Sequence, residues 1–297
     1  MTKIASVSGQ QRLRQLARLQ LGAAVREDDQ KSADDSNRDN SPFSHKHQQL
    51  AARSGAAVSH TGLNLQERAE RRISMQRERQ QQNLERIILL AQDYCPETVS
   101  QQEVDPDWFQ QFCDLILDVS NGSMQQLWAK ILAGEIASPG KFSLKTLHTL
   151  KRMSFKEAQA LQQAASLTCR SRQDPSARIY FGYLQRPSLW RLLSGRNRAV
   201  LNLSQFGLSY PQILSLIDIG LLHSAEIESG ELASGHSLSW QYPQQTLSGT
   251  VRKTVVLQYY KYTASGAELL PLLSTNANQP YQQALKQLLH SVIDFAV

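Results

Sequence analysis

From residue 65 the chain reads LQERAERRISMQRERQQQNLERIILLAQDY, a run of 30 residues without glycine or proline that stops at Cys95-Pro96. Such a run is a long helix, and Pro96 ends it because its nitrogen has no hydrogen to donate and its ring clashes with the preceding turn. The first two thirds are charged nearly all round, with Leu65, Ala69 and Ile73 as the apolar exceptions, whereas Leu84, Ile87, Ile88 and Ala91 share one face. The spacing therefore predicts a helix that protrudes at its start and docks at its end. Arg68, Arg71, Arg72, Arg77, Arg79 and Arg86 alternate with Glu67, Glu70, Glu78 and Glu85. That pattern belongs to a self-paired solvated face or to a helix that meets another helix, so it points to a protein partner or to self-association.

Upstream, residues 26–61 are poor in aliphatics and rich in Asp, Ser, Asn and Gln. They bury too little apolar area to offset their ordering entropy, so disorder is expected there, with one marginal amphipathic helix over 4–25. No window approaches the roughly 18 apolar residues of a membrane span, and Arg12, Arg14 and Arg18 interrupt the first leucines where a signal peptide would be apolar. Cys95, Cys113 and Cys169 are odd in number and lack CxxC spacing, which encodes neither a disulfide framework nor a zinc site and fits a reduced, cytoplasmic protein without membrane contact. The net charge of +6 splits as +2, +1 and +3 over residues 1–103, 104–170 and 171–297, so no segment is a strongly basic block.

Helix punctuation is dense between 96 and 170. Asp105 caps a helix opened by Pro106, with Trp108, Phe109, Phe112, Leu115 and Ile116 on the buried side. Ser120 or Asn121 starts a second, bearing Met124, Leu127, Trp128, Ile131 and Leu132 and closed by Pro139-Gly140. Ser143 starts a third. Ser154 with Glu157 three residues on is a capping box for a fourth. Links this short force neighbours to pack, giving a compact helical module.

After 171 the pattern changes. An aromatic run over 178–184 and a short helical turn over 187–193 precede a helix capped by Ser209, with Pro211 in its first turn and Gly220 at its stop. HSLSWQY and TVRKTVVLQYYKYT read as two strands of a hairpin around PQQTLSG, then Thr263 caps a helix and a last helix is expected over 279–296. Helix, helix, hairpin, helix is winged-helix-like order. The fold class is thus mainly α with a small α+β part: a disordered extension (1–63), a long charged helix (64–95), a helical bundle module (96–170) and a winged-helix-like domain (171–297).

The residues Trp128-Ala129-Lys130-Ile131-Leu132-Ala133-Gly134-Glu135, Pro139-Gly140, Phe142-Ser143 and Thr146-Leu147, with Asp105, Asp107 and Trp108 upstream, resemble an uncharacterised bacterial domain-of-unknown-function family over residues 77–160. More distantly, the Trp-Ala-x-Ile-Leu-Ala pattern is similar to abortive-infection alpha proteins, which implies a link to phage defence. The resemblance brings no catalytic or binding residues. Tyr262-Thr263-x-x-Gly266-x-Glu268-Leu269 is similar to the strand-to-helix close of winged-helix-like modules.

No catalytic constellation stands out, and no cofactor or metal is implied. Asp105, Asp107, Asp114 and Asp118 are read as capping and solvated carboxylates, and Glu135, near a helix end that disfavours it, as held by Lys145 or a backbone donor. Trp108 and Trp128 are read as core, and Cys113 as an inert thiol. HxH at His45 and His47 offers two ligands in a mobile chain, which make no site. Arg191, Arg196, Arg198, Arg252 and Lys253 could grip phosphates, yet the helix over 211–219, where a winged helix reads bases, has no Arg or Lys. The sequence therefore favours a non-enzymatic interaction adaptor or regulator, with nonspecific nucleic-acid binding as the alternative.

Overall fold

A computed structural model describes residues 65–96, 102–172, 174, 176–185, 198–273 and 276–295. The expected extension, its marginal helix and the short helix over 187–193 lie outside the described residues. The chain divides into two compact units, Met1–Leu84 and Glu85–Val297. Of the first, the described part is helix throughout: α1 spans Leu65–Gln92, and its Leu65, Ile73 and Met75 are exposed.

In the second unit the last turns of α1 bury Ile87 and Ala91, as the spacing predicts, while Leu89 faces outward. The helices α2 (Pro106–Ile116), α3 (Gly122–Ala137), α4 (Leu144–Arg152) and α5 (Phe155–Ser166) follow. Each start is closed by a side chain. Asp105 accepts from the amides of Asp107 (2.8 Å) and Trp108 (3.4 Å), Asn121 accepts from Ser123 and Met124, and Ser143 accepts from Thr146. Ser154 and Glu157 exchange the two bonds of the capping box. Satisfying these otherwise orphaned amides is why the helices begin where they do.

Trp108 stacks on Phe112 with centroids 5.3 Å apart, and Phe112 meets the edge of Trp128 at 5.5 Å. The Trp108 indole donates to the Phe142 carbonyl at 2.7 Å, which pins α2 to the turn before α4. One expectation fails: Phe109 is 40% exposed. Trp108, Phe112 and Ile116 already occupy the inward stripe, and Phe109 falls one step off it.

The second half is a sheet. β1 (Cys169–Arg170), β2 (Ala177–Leu184), β3 (Arg198–Val200), a 3-10 turn (Leu203–Phe206) and α6 (Tyr210–Asp218) come first. β4 (Ile227–Glu228), β5 (Ser237–Gln241), β6 (Thr246–Val251), β7 (Val256–Lys261), α7 (Ala264–Leu269), a 3-10 turn (Leu270–Leu272), α8 (Gln279–Leu289) and β8 (Ile293–Phe295) complete it. Eight strands form one sheet in the order β4-β7-β2-β1-β5-β6-β8, with β3 also paired to β2. Every pairing is antiparallel.

This corrects two boundaries. The run TVRKTVVLQYYKYT is not one strand: its beginning finishes β6, which pairs with β5, while its end is β7, which pairs with β2 and β4. Arg252 and Lys253 thus lie on the link between strands and do not open a wing strand. The last helix ends at Leu289, and Ile293 joins β8 against Val251. Val292 and Ile293 are buried as the helical spacing suggested, but as extended chain. The expected two-stranded wing is one part of a much larger sheet.

Candidate functional site

One carboxylate makes three hydrogen bonds between the two halves of the second unit, beside other links such as Ser215 to Glu157 and the Asn278 amide to the Ser166 carbonyl. Glu268, at the end of α7, accepts from the Ser143 amide (2.8 Å), the Ser143 hydroxyl (3.2 Å) and the Thr146 hydroxyl (2.5 Å). An anion at a helix start is favoured by the unpaired amides there. Thr263 holds the near side of the same joint, donating to the Gly220 carbonyl at 2.7 Å and accepting from the Gly266 amide. A Cβ on Gly266 would lie 2.2 Å from the Leu221 carbonyl, so no other residue fits. The two sequence patterns Phe-Ser-x-x-Thr and Thr-x-x-Gly-x-Glu are therefore two sides of one contact. Sequence spacing flags each of them and cannot pair them across 125 residues.

Glu135 is buried and accepts from the amides of Gly140 (2.6 Å) and Phe142 (2.9 Å), so the backbone alternative holds and Lys145 is not its partner. Pro139-Gly140 turns with Gly140 at φ +83°, and Gly134 lies so close to the Phe142 ring that a Cβ would meet it at 2.8 Å. These signature residues tie a turn. Asp114 accepts from Gln110, and among the described residues no group of three His, Cys, Asp or Glu is placed to hold a metal ion. Burial, aided by Asp114, raises the Cys113 thiol pKa.

Of the basic residues, the described Arg198, Arg252 and Lys253 are not brought together. Arg191 and Arg196 lie outside the described residues. Arg198, on β3, pairs in register with Leu184 at one end of β2. β5 and β6 are reached from the opposite end of β2, through Ala177, Arg170 and Gln241, and Arg252 lies beyond the Ser237–Thr250 end of that hairpin. Arg252 forms a two-bond ion pair with Asp294, which raises the arginine pKa and lowers that of the carboxyl. Arg198 is 4.0 Å from Glu226, and Lys253 is exposed.

What the structure does assemble surrounds α6. Ser209 and Gln212 close its first turn, the Ser209 amide donating to Gln212 Oε1 at 2.8 Å, and Gly220 at φ +82° stops it. Ile213 and Leu216 point into the core, while Tyr210 (60% exposed) and Leu214 (41%) point outward. Val200 on β3 is 47% exposed and shares a recess with Tyr210. Between Val200 and Tyr210 opens a recess of about 180 Å3 walled by Phe181, Ile213 and Tyr260. Its polar edge is Arg198, Glu226 and the Tyr260 hydroxyl, which donates to Glu226 at 3.1 Å. Burial first, then Glu226, raises the Tyr260 pKa, so the phenol stays a donor. The ion pair cancels the charge of this edge and leaves an apolar face with a small neutral pocket.

A helical module with a buried aromatic stack, packed against an antiparallel sheet, defines an α+β protein. The chain matches the family described as "Protein of unknown function (DUF2806)" over residues 67–286 and belongs to it. The match extends well past residue 160, so it takes in the sheet strands up to β7 and the Tyr262-to-Leu269 pattern as well as the helical signature. No curated protein and no solved structure matches the chain. None of the described helices is long and apolar enough to cross a membrane.

Proposed function

We propose that this chain is a non-enzymatic cytoplasmic adaptor or regulator that docks a protein partner on the face formed by α6 and β3. The observation that carries the reading is the pair of exposed residues Tyr210 and Val200 at the 180 Å3 recess, with exposed Leu214 one turn along from Tyr210 on a helix without positive charge. Apolar patches of this kind, rimmed by polar groups, are where partners seat an aliphatic or aromatic anchor. We read α6 with the antiparallel β4 and β7 that follow it as the winged-helix-like element, its usual base-reading helix given over to protein contact. The helical part (96–170) supports that element, and the distant similarity to abortive-infection alpha proteins favours a place in phage defence. A photoreactive residue installed at Tyr210 tests this: cross-linking in the native host yields a protein adduct that the same residue at exposed Lys145 does not, and equal adducts at both positions would reject the reading.

Self-association through the long helix is favoured by the exposed Leu65, Ile73 and Met75 on a charge-interleaved surface. Light scattering gives a smaller oligomer for a chain lacking residues 1–83 if this contact operates, and an unchanged assembly if it does not. Nucleic-acid binding through Arg191, Arg196, Arg198, Arg252 and Lys253 is the competing reading. Phosphate contacts release counterions, so anisotropy with duplex and single-stranded DNA must fall steeply as salt rises if that reading holds.

A further inference from the structure

A second, larger cavity lies away from the α6 face, and its lining comes from stretches remote in sequence. The end of α5 contributes Ala165, the link to β1 contributes Thr168, β1 contributes Arg170, the turn after β5 contributes Tyr242, and the link after α7 contributes Leu270, Pro271 and Leu273. Its volume of about 520 Å3 lies within the span that holds small organic ligands. The balance of groups around it is one-sided. Arg170 is the only charged residue in the lining and makes no ion pair with a described residue, and no carboxylate lines the cavity.

The other polar side chains of the lining, Thr168, Gln241, Tyr242 and the Cys169 thiol, carry no formal charge. Tyr242 is buried, with the Cys169 thiol as the neighbour of its hydroxyl. Burial raises the Cys169 thiol to about 12 and the Tyr242 phenol well above its ordinary value, so both keep their protons and neither supplies negative charge. The opposite wall of Leu270, Pro271 and Leu273 is apolar and suits a hydrocarbon or aryl body.

We propose that this cavity binds a small amphipathic monocarboxylate, with its carboxylate toward Arg170 and its apolar body against Leu270, Pro271 and Leu273. The site is independent of the α6 docking face. Titration of the full chain with 3-phenylpropionate, its neutral amide and inorganic phosphate, followed by calorimetry, tests it. The acid binds more tightly than the amide by about tenfold, the worth of a charge-assisted bond, and phosphate, which lacks an apolar body, binds more weakly than the acid. Arg170→Gln, an exposed change that leaves the melting temperature in place, removes the preference for acid over amide. Leu273→Ser weakens acid and amide alike. Failure of the acid to bind at millimolar concentration, an acid preference that survives Arg170→Gln, or phosphate binding equal to the acid would each overturn the proposal.

Discussion

The helical and sheet parts of the second unit are held together by different kinds of contact. In the helical part every start is fixed by a residue within three positions of the amide it satisfies: Asp105, Asn121, Ser143 and Ser154. In the sheet the deciding contacts are remote. β2 pairs with β7 about eighty residues on, β1 with β5 about seventy, and β6 with β8 more than forty. The first part closes locally and then packs, whereas the second has no stable piece until distant strands meet, which is why its pairing costs loop entropy before contacts repay it.

That contrast can be broken by mutation. The largest effect belongs to the aromatic stack. Trp128→Ala leaves a cavity beside Phe112 and costs about 4 kcal/mol in chemical denaturation; a loss under about 1 kcal/mol would show that the helical part is not the stable half. Gly266→Ala forces a Cβ onto the Leu221 carbonyl and costs about 3 kcal/mol. Glu268→Gln weakens the joint between the halves by about 1.5 kcal/mol. A double-mutant cycle with Ser143→Ala returns a coupling energy if the two patterns form one contact, and additivity if they do not.

Ser154→Ala removes a local cap and costs about 1 kcal/mol, read as a lower melting temperature. The smallest effect is a pH dependence. Burial pushes the Glu157 carboxyl up, but hydrogen bonds from the Ser154 amide and hydroxyl and from Ser215, with Arg152 nearby, hold its pKa below the ordinary value. A depressed carboxyl stabilises the fold above its unfolded pKa and loses that contribution as pH falls through the folded one. Glu157→Gln should therefore flatten the melting curve against pH below about 4.5 and change its slope little near neutrality.

The same division governs what could be read from the residues. The four helix starts, the Trp108, Phe112 and Trp128 core and the stop at Gly220 were legible, because each depends on neighbours at a spacing of three or four, whereas the partner of Glu135 stayed open between Lys145 and the backbone, and Phe109 was misplaced. The strand boundaries were not. TVRKTVVLQYYKYT is uniformly β-favouring, and nothing within it says that Arg252 and Lys253 leave one strand before another starts; only the remote partners β5 and β2 decide that. Val292 and Ile293 continue a helical spacing that the pairing with β6 overrides. The absence of basic groups from 211–219 was legible, but not the recess beneath Tyr210, whose walls come from β2, β3 and β7. The larger cavity was invisible for the same reason, since Arg170, Tyr242 and Leu270 carry no shared spacing.

α6 and β3 form the face proposed to meet a protein partner. Nuclease-treated pull-down from the native host, comparing the unaltered chain with a Tyr210→Ala, Leu214→Ala double variant of equal melting temperature, probes that most directly. A defined set of proteins retained by the first and lost by the second is the expected result. Identical sets from both chains, or retention abolished by the nuclease alone, would contradict it.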